Sequence, residues 1–282
     1  DLLVLQDLYQ FKAVPPFAPG MEGSGTVVGV GEGVAGIEPG DRVSAVGYSG
    51  AMAQRWVAEA TNVLPVPGDI GLDVAAAMTI AYGTSYHALV QRARLEPGET
   101  LLVLGAAGGV GSAAVDIGRA LGAEVIAVAS TEAKRALARE LGASVALSSE
   151  SDGLRSAIKE ETGGRGVDVV YDPVGGALSE PAFRSLARNG RHLVIGFAAG
   201  DIPSLPMNLA LLKEASLVGV FWGSFSAHEP EVNRSNVAAM YDLVRSGDLQ
   251  PRITERFDLS EAARALATVA ERQVTGRVLV EI

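Results

Sequence analysis

A two-domain α/β fold is predicted, with a mostly parallel sheet in one domain and a compact, mainly β region in the other. Three observations predict it. From residue 100 onward, strand-length apolar runs alternate with helical stretches, which implies right-handed crossovers and a parallel sheet. Residues 23–67 instead place short apolar runs between glycines and prolines, the pattern of hairpins. At 282 residues the chain is near the length at which one core divides into two.

Taken in order, Gly25-Thr26-Val27-Val28 and the run Asp41 to Val46 read as strands of the β region. Between them, Val28-Gly29-Val30-Gly31-Glu32-Gly33 imitates a nucleotide fingerprint. Gly36, Pro39 and Gly40 follow too closely for the helix a phosphate would need, so the run reads as a turn. Helical character rises from about residue 72 and, after Pro97-Gly98, the alternation begins. Strand 100–104 precedes helix 110–121, and strand 125–129 precedes helix 132–141. Strand 145–148 leads to helix 153–162, and strand 167–171 to helix 177–188, with further strands at 192–196 and 216–221. Val110, Ala113, Ala114, Ile117 and Leu121 make one apolar helical stripe. Beyond Trp222 the pattern changes to amphipathic helices at 232–246 and 260–271 and a last strand, Arg277 to Val280. This tail is short for a domain of its own and is expected to return to the amino-terminal β region, leaving a cleft between domains. The expected boundaries are 1–82, 83–223 and 224–282.

The most informative run is Thr100-Leu101-Leu102-Val103-Leu104-Gly105-Ala106-Ala107-Gly108-Gly109-Val110-Gly111. A buried strand turns through glycines directly into a helix, and the free N–H groups at the helix start, at Ala107, Gly108, Gly109 and Val110, face a dinucleotide pyrophosphate. Gly111 falls in the first helical turn, where a missing Cβ lets helix and strand approach, and Ala106 stands where the usual first glycine is found. The parallel sheet is therefore expected to be of the Rossmann type.

A carboxylate that receives adenine-ribose hydroxyls normally stands about twenty residues after the loop. Here Ala129-Ser130-Thr131 occupies that place, with Lys134 and Arg135 one turn on. Ser130 and Lys134 suit a 2′-phosphate, which a carboxylate would repel, so NADPH is preferred to NADH. Glu132 counts against this unless its side chain turns outward. The plainer reading makes Ser130 a helix cap and Lys134 a solvated cation.

Composition narrows the remaining classes. With 33 acidic and 23 basic residues the net charge is −10, which argues against a nucleic-acid partner. Apolar runs are strand-length, so no membrane span is expected. Cysteine is absent, which removes disulfides, thiolate catalysis and Cys-containing zinc sites. His87, His192 and His228 are far apart in sequence and form no short ligand motif. A cysteine-free chain without a signal peptide suggests a cytoplasmic location.

Several segments in order resemble the zinc-independent quinone oxidoreductase branch of the medium-chain dehydrogenase/reductase family. They are Pro19-Gly20-Met21-Glu22-Gly23-Ser24-Gly25, Pro39 to Val43, Ala106 to Gly111, Asp168 to Gly176, and Thr275-Gly276-Arg277-Val278, and together they span nearly the whole chain. The resemblance implies a Rossmann domain and a discontinuous GroES-like catalytic domain flanking an active-site cleft, in a homodimer. It also implies that a few dozen amino-terminal residues, including the first strands of the catalytic domain, are absent here. Met21 stands where zinc-dependent relatives carry a histidine ligand, and a thioether cannot replace that imidazole in a water-activating zinc site. No metal is expected. Asp116 stands where glutamine is usual, Leu3 where a second active-site tyrosine is found, and Ala81 where asparagine is often found.

Without a metal, hydride transfer needs an acceptor that spreads negative charge through itself, as a quinone or an alkene conjugated to a carbonyl does. The resemblance implies that Tyr9 donates a hydrogen bond or proton and that Thr84, in Ala81 to His87, lies close to the nicotinamide. It likewise implies that Gly196, Phe197, Phe221 and Trp222, at the ends of late strands, hold the carboxamide through backbone groups, and that Arg277 binds cofactor. Phe197, Phe221 or Trp222 bounds an apolar substrate pocket or serves an interface, and His87 belongs to the helix that follows rather than to the chemistry. The leading expectation is an NADPH-dependent quinone reductase. The alternatives are an enone, 2-alkenal or enoyl-thioester double-bond reductase, and a catalytically silent nucleotide-binding protein.

Overall fold

A computed structural model describes the chain apart from Gln10, Arg272, Gln273, Thr275 and the side chain of Ser151. Thr275, from the last of the family-like segments, thus lies outside the described residues. The chain divides into two compact units. One comprises Asp1–Ala81, Phe225–Tyr241 and Pro251–Ile282, the other Tyr82–Ser224 and Asp242–Gln250.

The first unit opens with a short helix, α1 (Leu2–Leu5), followed by β1 (Glu22–Thr26), β2 (Arg42–Val46) and β3 (Val63–Pro65) in one antiparallel sheet of order β1-β2-β3. The glycine run at 28–33 lies in the connection from β1 to β2, which bends through Gly33 and Gly36 at positive φ and contains no helix. Arg42 ties the sheet to the next segment, its guanidinium donating to Pro67 O at 2.7 Å and Ile70 O at 2.6 Å. Helix α2 (Leu72–Tyr86) then runs into a wider π-helical turn, His87–Arg92.

The second unit alternates as expected from its apolar runs: β4 (Thr100–Leu104), α3 (Gly109–Ala120), β5 (Glu124–Ala129), α4 (Glu132–Glu140), β6 (Val145–Ser148), α5 (Ser151–Glu161), β7 (Val167–Asp172), α6 (Ser179–Arg184), β8 (Leu186–Val194), α7 (Asn208–Lys213) and β9 (Ser216–Gly219). Among the described residues the strands form a six-stranded parallel sheet of order β6-β5-β4-β7-β8-β9. Leu101, Leu102, Val103 and Leu104 of β4 are fully buried because helices cover both faces of a parallel sheet. On one face α3 lies so close that a Cβ at Gly118 would come within 2.5 Å of Leu101 Cδ2. On the other, Leu102 and Leu104 join Leu154, Ile158, Phe183 and Leu186 in the main core. The strand order reverses between β4 and β7, the position at which open α/β sheets bind ligands.

The remaining elements are α8 (Trp222–His228), α9 (Pro230–Ser246), β10 (Ile253–Asp258), α10 (Ala262–Ala270) and β11 (Arg277–Glu281), with β10 and β11 paired in parallel. Residues 242–250 cluster with the sheet, and Asp116 is a reason they do. This buried carboxylate accepts from Gln250 N at 2.9 Å and from Tyr82 Oη at 3.0 Å, and pairs with Arg119 at 3.2 Å. Burial raises its pKa, and those bonds only partly offset the rise.

Several elements depart from the sequence reading. The helix expected at 177–188 ends at Arg184, and the next strand starts at Leu186 rather than 192. Asn189 there adopts φ 63°, and the ladder between β7 and β8 shifts register between Val167 and Val169, so polar residues 188–191 are accommodated inside a strand. The strand expected to reach 221 stops at Gly219, because the chain enters α8 at Trp222. Strand β10 had no counterpart in the sequence reading.

Candidate functional site

The glycine loop leaves β4 at Gly105, whose φ of 61° makes the turn. The positive angle falls one position before Ala106, which is why alanine is tolerated there. Gly108 N donates to Gly105 O at 2.9 Å, and Gly108 itself is the N-cap of α3, with no side chain capping the helix. A Cβ at Gly111 would run into Gly105 O, so helix and loop are in backbone contact. The amides of the first turn, Gly109 to Gly111, have no partner one turn back and carry the positive end of the helix dipole. An uncapped helix start backed by a cradle that a side chain would fill fits a dinucleotide pyrophosphate. Ala107 is buried and Gly108 exposed at this point.

At the end of β5, Ser130 is exposed and the cap of α4 is Thr131, which accepts from Lys134 N at 3.3 Å. The cap assignment considered for Ser130 is therefore corrected to Thr131, whose extended backbone places its hydroxyl over the first turn. Glu132 turns along its own helix to Arg139 at 2.8 Å and Arg135 at 3.0 Å, and these two guanidinium groups hold its carboxyl below the usual range. Arg135 also reaches back to Ala129 O at 3.2 Å, fixing a second cation beside the half-buried Lys134.

The ends of α2, β7 and β8 form a connected network in the sheet unit. Gly83 packs against the indole of Trp222, where a Cβ would stand 2.9 Å from Cε2. Trp222 is accordingly buried, whereas Phe197 and Phe221 are 40% and 61% exposed. Thr84 is half-buried beside Ser85, whose hydroxyl donates to Val110 O at 2.9 Å and lies 2.8 Å from Tyr171 Oη. His87 sits inside the π-helical turn with Nδ1 3.2 Å from Gln91 Oε1.

Asp172, at the end of β7, accepts from Val174 N at 2.9 Å and Gly175 N at 2.8 Å through Oδ1, and from Ser179 Oγ and His192 Nε2 through Oδ2. Burial alone would raise its pKa, but the bonds from His192, Gly175 and Ser179 outweigh it and hold the carboxyl below the usual range. Its main-chain oxygen takes Ile195 N at 3.0 Å and Gly196 N at 3.4 Å, while Pro173 O takes Ala198 N at 3.1 Å and Val174 O takes Ala199 N at 2.9 Å. Val174 also closes on the glycine loop, for a Cβ at Gly105 would stand 2.9 Å from Val174 Cγ2. Asp172, Ser85 and His192 were not singled out from the sequence as site residues. The strand-end position of Asp172 ahead of Pro173-Val174-Gly175-Gly176 was the available signal.

The other unit holds the remaining named residues. Tyr9 is half-buried, with its amide on Leu3 O at 3.1 Å, and Leu3 is 50% exposed. Arg277 donates from Nη2 to Ala77 O at 2.9 Å, and its Nε is buried with no hydrogen-bond partner among the described residues. Its charge acts on Glu22, whose carboxylate accepts from Ile80 N at 2.6 Å; burial nevertheless raises the Glu22 pKa. A thioether at Met21, a chain without cysteine and the lack of any His/Cys/Asp/Glu trio among the described residues make a donor set that does not fit zinc.

An uncapped helix start at a strand-order reversal makes the sheet unit a dinucleotide-type α/β fold. Residues 1–68 match the family described as "Alcohol dehydrogenase GroES-like domain", and residues 109–238 the family described as "Zinc-binding dehydrogenase". The chain is 39% identical to quinone oxidoreductase-like protein 2 of Bos taurus, over 100% of this chain and 81% of that protein. Among solved structures, a probable oxidoreductase from Mycobacterium abscessus is 40% identical, with TM-score 0.88 over 99% of this chain and 85% of that one. Escherichia coli quinone oxidoreductase, solved as a complex with NADPH, is 27% identical, with TM-score 0.90 over 100% and 87%. The chain belongs to the quinone oxidoreductase branch of the medium-chain dehydrogenase/reductase family.

Proposed function

We propose that this protein is an NADPH-dependent oxidoreductase that passes hydride to a quinone without a catalytic metal. The observation that carries the reading is the start of α3, an uncapped helix N-terminus against which Gly105 and Gly111 exclude any side chain. When bound, NADPH supplies the hydride, delivered from its nicotinamide ring. The amides of Ala107, Gly109 and Val110 bind the pyrophosphate, and Gly108, whose own amide is taken by Gly105 O, serves by its bare Cα. Ser130 and Lys134 receive the 2′-phosphate at a strand end where Glu132 is drawn off by two arginines. Gly196, Phe197, Phe221, Trp222 and Thr84 orient the reacting half, with Thr84 donating to the oxygen on which charge develops; for Tyr9, in the other unit, a hydrogen-bonding role rests on the family resemblance alone. Arg277 is left out of this set because its Nη2 is committed to Ala77 O and its charge to Glu22.

In this reading 83–223 is the cofactor domain, and 1–82 with 224–282 the catalytic domain, except for residues 242–250, which cluster with the sheet. A homodimer is supported by β9, an edge of the sheet among the described residues, together with exposed Leu211, Leu212 and Leu217 nearby in sequence. Sedimentation velocity is expected to give twice the chain mass; a monomer rejects the dimer.

Loss of nicotinamide absorbance with matched quinone and enone acceptors tests the chemistry. Rapid oxidation by a simple benzoquinone and slow oxidation by the enone is the expected result. The reverse order overturns the acceptor class, and tight binding with no oxidation by any acceptor overturns the activity. For cofactor choice, Lys134→Ala is expected to raise the NADPH dissociation constant about tenfold and the NADH constant less than about twofold, since one charge-assisted contact is lost. Equal changes reject the pocket.

A further inference from the structure

We infer that His192 is a positioning residue for the reacting half of the dinucleotide site, acting through Asp172 on the turn 172–176 and the loop 195–201. The inference rests on the NADPH reading above.

Histidine is a costly choice inside a covered parallel strand. His192 is 1% exposed and pairs in register with Val170 on one side and Leu217 on the other. Its Nε2 lies 3.1 Å from Asp172 Oδ2, its ring 5.7 Å from that of Phe183, and its Nδ1 is buried with no partner among the described residues. With the proton on Nε2, the ring donates to the carboxylate and leaves only a lone pair on Nδ1, which is cheaper to bury unpaired than an N–H.

The two oxygens of Asp172 then have separate roles. Oδ2 is clamped by His192 from the neighbouring strand and by Ser179 from the start of α6, which fixes the plane of the carboxylate. Oδ1, thereby oriented, gathers the amides of Val174 and Gly175 into the turn. With its amides directed to Asp172, the turn places its carbonyls on Ala198 and Ala199, while Gly176 N reaches Asp201 O at 3.1 Å. Gly175, at φ 70°, packs on Phe197, where a Cβ would stand 2.9 Å from Cδ1. One imidazole thus sets both strand-end loops on the β7–β8 side of the strand-order reversal. In a doubly wound sheet each half holds one mononucleotide, and the adenine half belongs to β5 and α4.

The test compares wild type, His192→Leu and His192→Gln by calorimetric titration with NADPH and with adenosine 2′,5′-bisphosphate, which lacks the nicotinamide. Leucine is expected to raise the NADPH dissociation constant about tenfold and to leave the bisphosphate within about twofold. Glutamine, whose side-chain amide donates from nearly the position of Nε2, is expected to restore NADPH binding to within about threefold. Amide exchange at Val174, Gly175, Ala198 and Ala199 is expected to quicken in the leucine variant alone. Unchanged NADPH binding, equal weakening of both ligands, or no recovery with glutamine overturns the role. If the leucine variant does not fold, His192→Asn, whose shorter amide falls short of Asp172, takes its place with the same expectations. If wild type binds no NADPH, the cofactor reading fails separately, and the exchange measurement still decides whether the clamp exists.

Discussion

Replacing Gly111 with alanine is expected to abolish measurable NADPH binding, weakening it by more than about a hundredfold, or about 2.7 kcal/mol. The new Cβ would meet the carbonyl oxygen of Gly105, and backbone cannot step aside as a side chain can. Loop and helix must separate, and the amides aimed at the pyrophosphate separate with them. Overpacking of this kind costs about 1–3 kcal/mol, which lowers the melting temperature by about 5 °C. Gly118→Ala is the informative control. Its Cβ would press on a methyl of Leu101, away from the loop, so it is expected to lower the melting temperature while leaving the NADPH dissociation constant within about threefold. Calorimetric titration and thermal melting of both variants check this; normal binding by Gly111→Ala would sink the cradle assignment.

Asp172→Asn is expected to lower the melting temperature at neutral pH by about 10 °C. Four donors converge on this buried carboxylate, and an amide can accept on only one atom while turning its NH2 toward two of them. Disrupting a buried charged centre of this kind costs about 3–5 kcal/mol. The pH dependence has a definite sign. The folded-state pKa of Asp172 lies below its ordinary value of 3.8, so its contribution is fully present above that value and is lost as pH falls through the folded pKa. The gap in stability between wild type and variant should therefore close in acid. A gap independent of pH between neutrality and acid would show that packing, and not charge, is what Asp172 provides.

Where one physical cause dominates, the sequence was legible. Strands 100–104 and 145–148 match their observed bounds, and the loop after β4 could be read because a buried strand, glycines and a helix start fall in one run. Legibility ended where pairing is long-range. Strand β8 conceals its start behind Arg188-Asn189-Gly190-Arg191, a stretch that the ladder to β7 skips between Leu186 and Arg191. Strand β10 depends on a parallel partner more than twenty residues away. In the site, Ser130 and Lys134 could be chosen from their distance to the loop. Asp172 offered only its strand-end position ahead of Pro173, and His192 offered nothing, because their bond exists only once two neighbouring strands are in register. The Glu132 carboxylate illustrates the same limit. Whether it faces the ribose pocket or its own helix depends on Arg135 and Arg139, and spacing alone does not decide that.

The positive φ at Gly105 bears on how such loops diverge over time. Because the left-handed angle is carried one residue ahead of Ala106, the letter at position 106 is released from the steric requirement that ordinarily keeps it glycine. A lineage can then drift at that letter while the loop holds its shape. A search written in residue names loses descendants that a search written in backbone angles would retain.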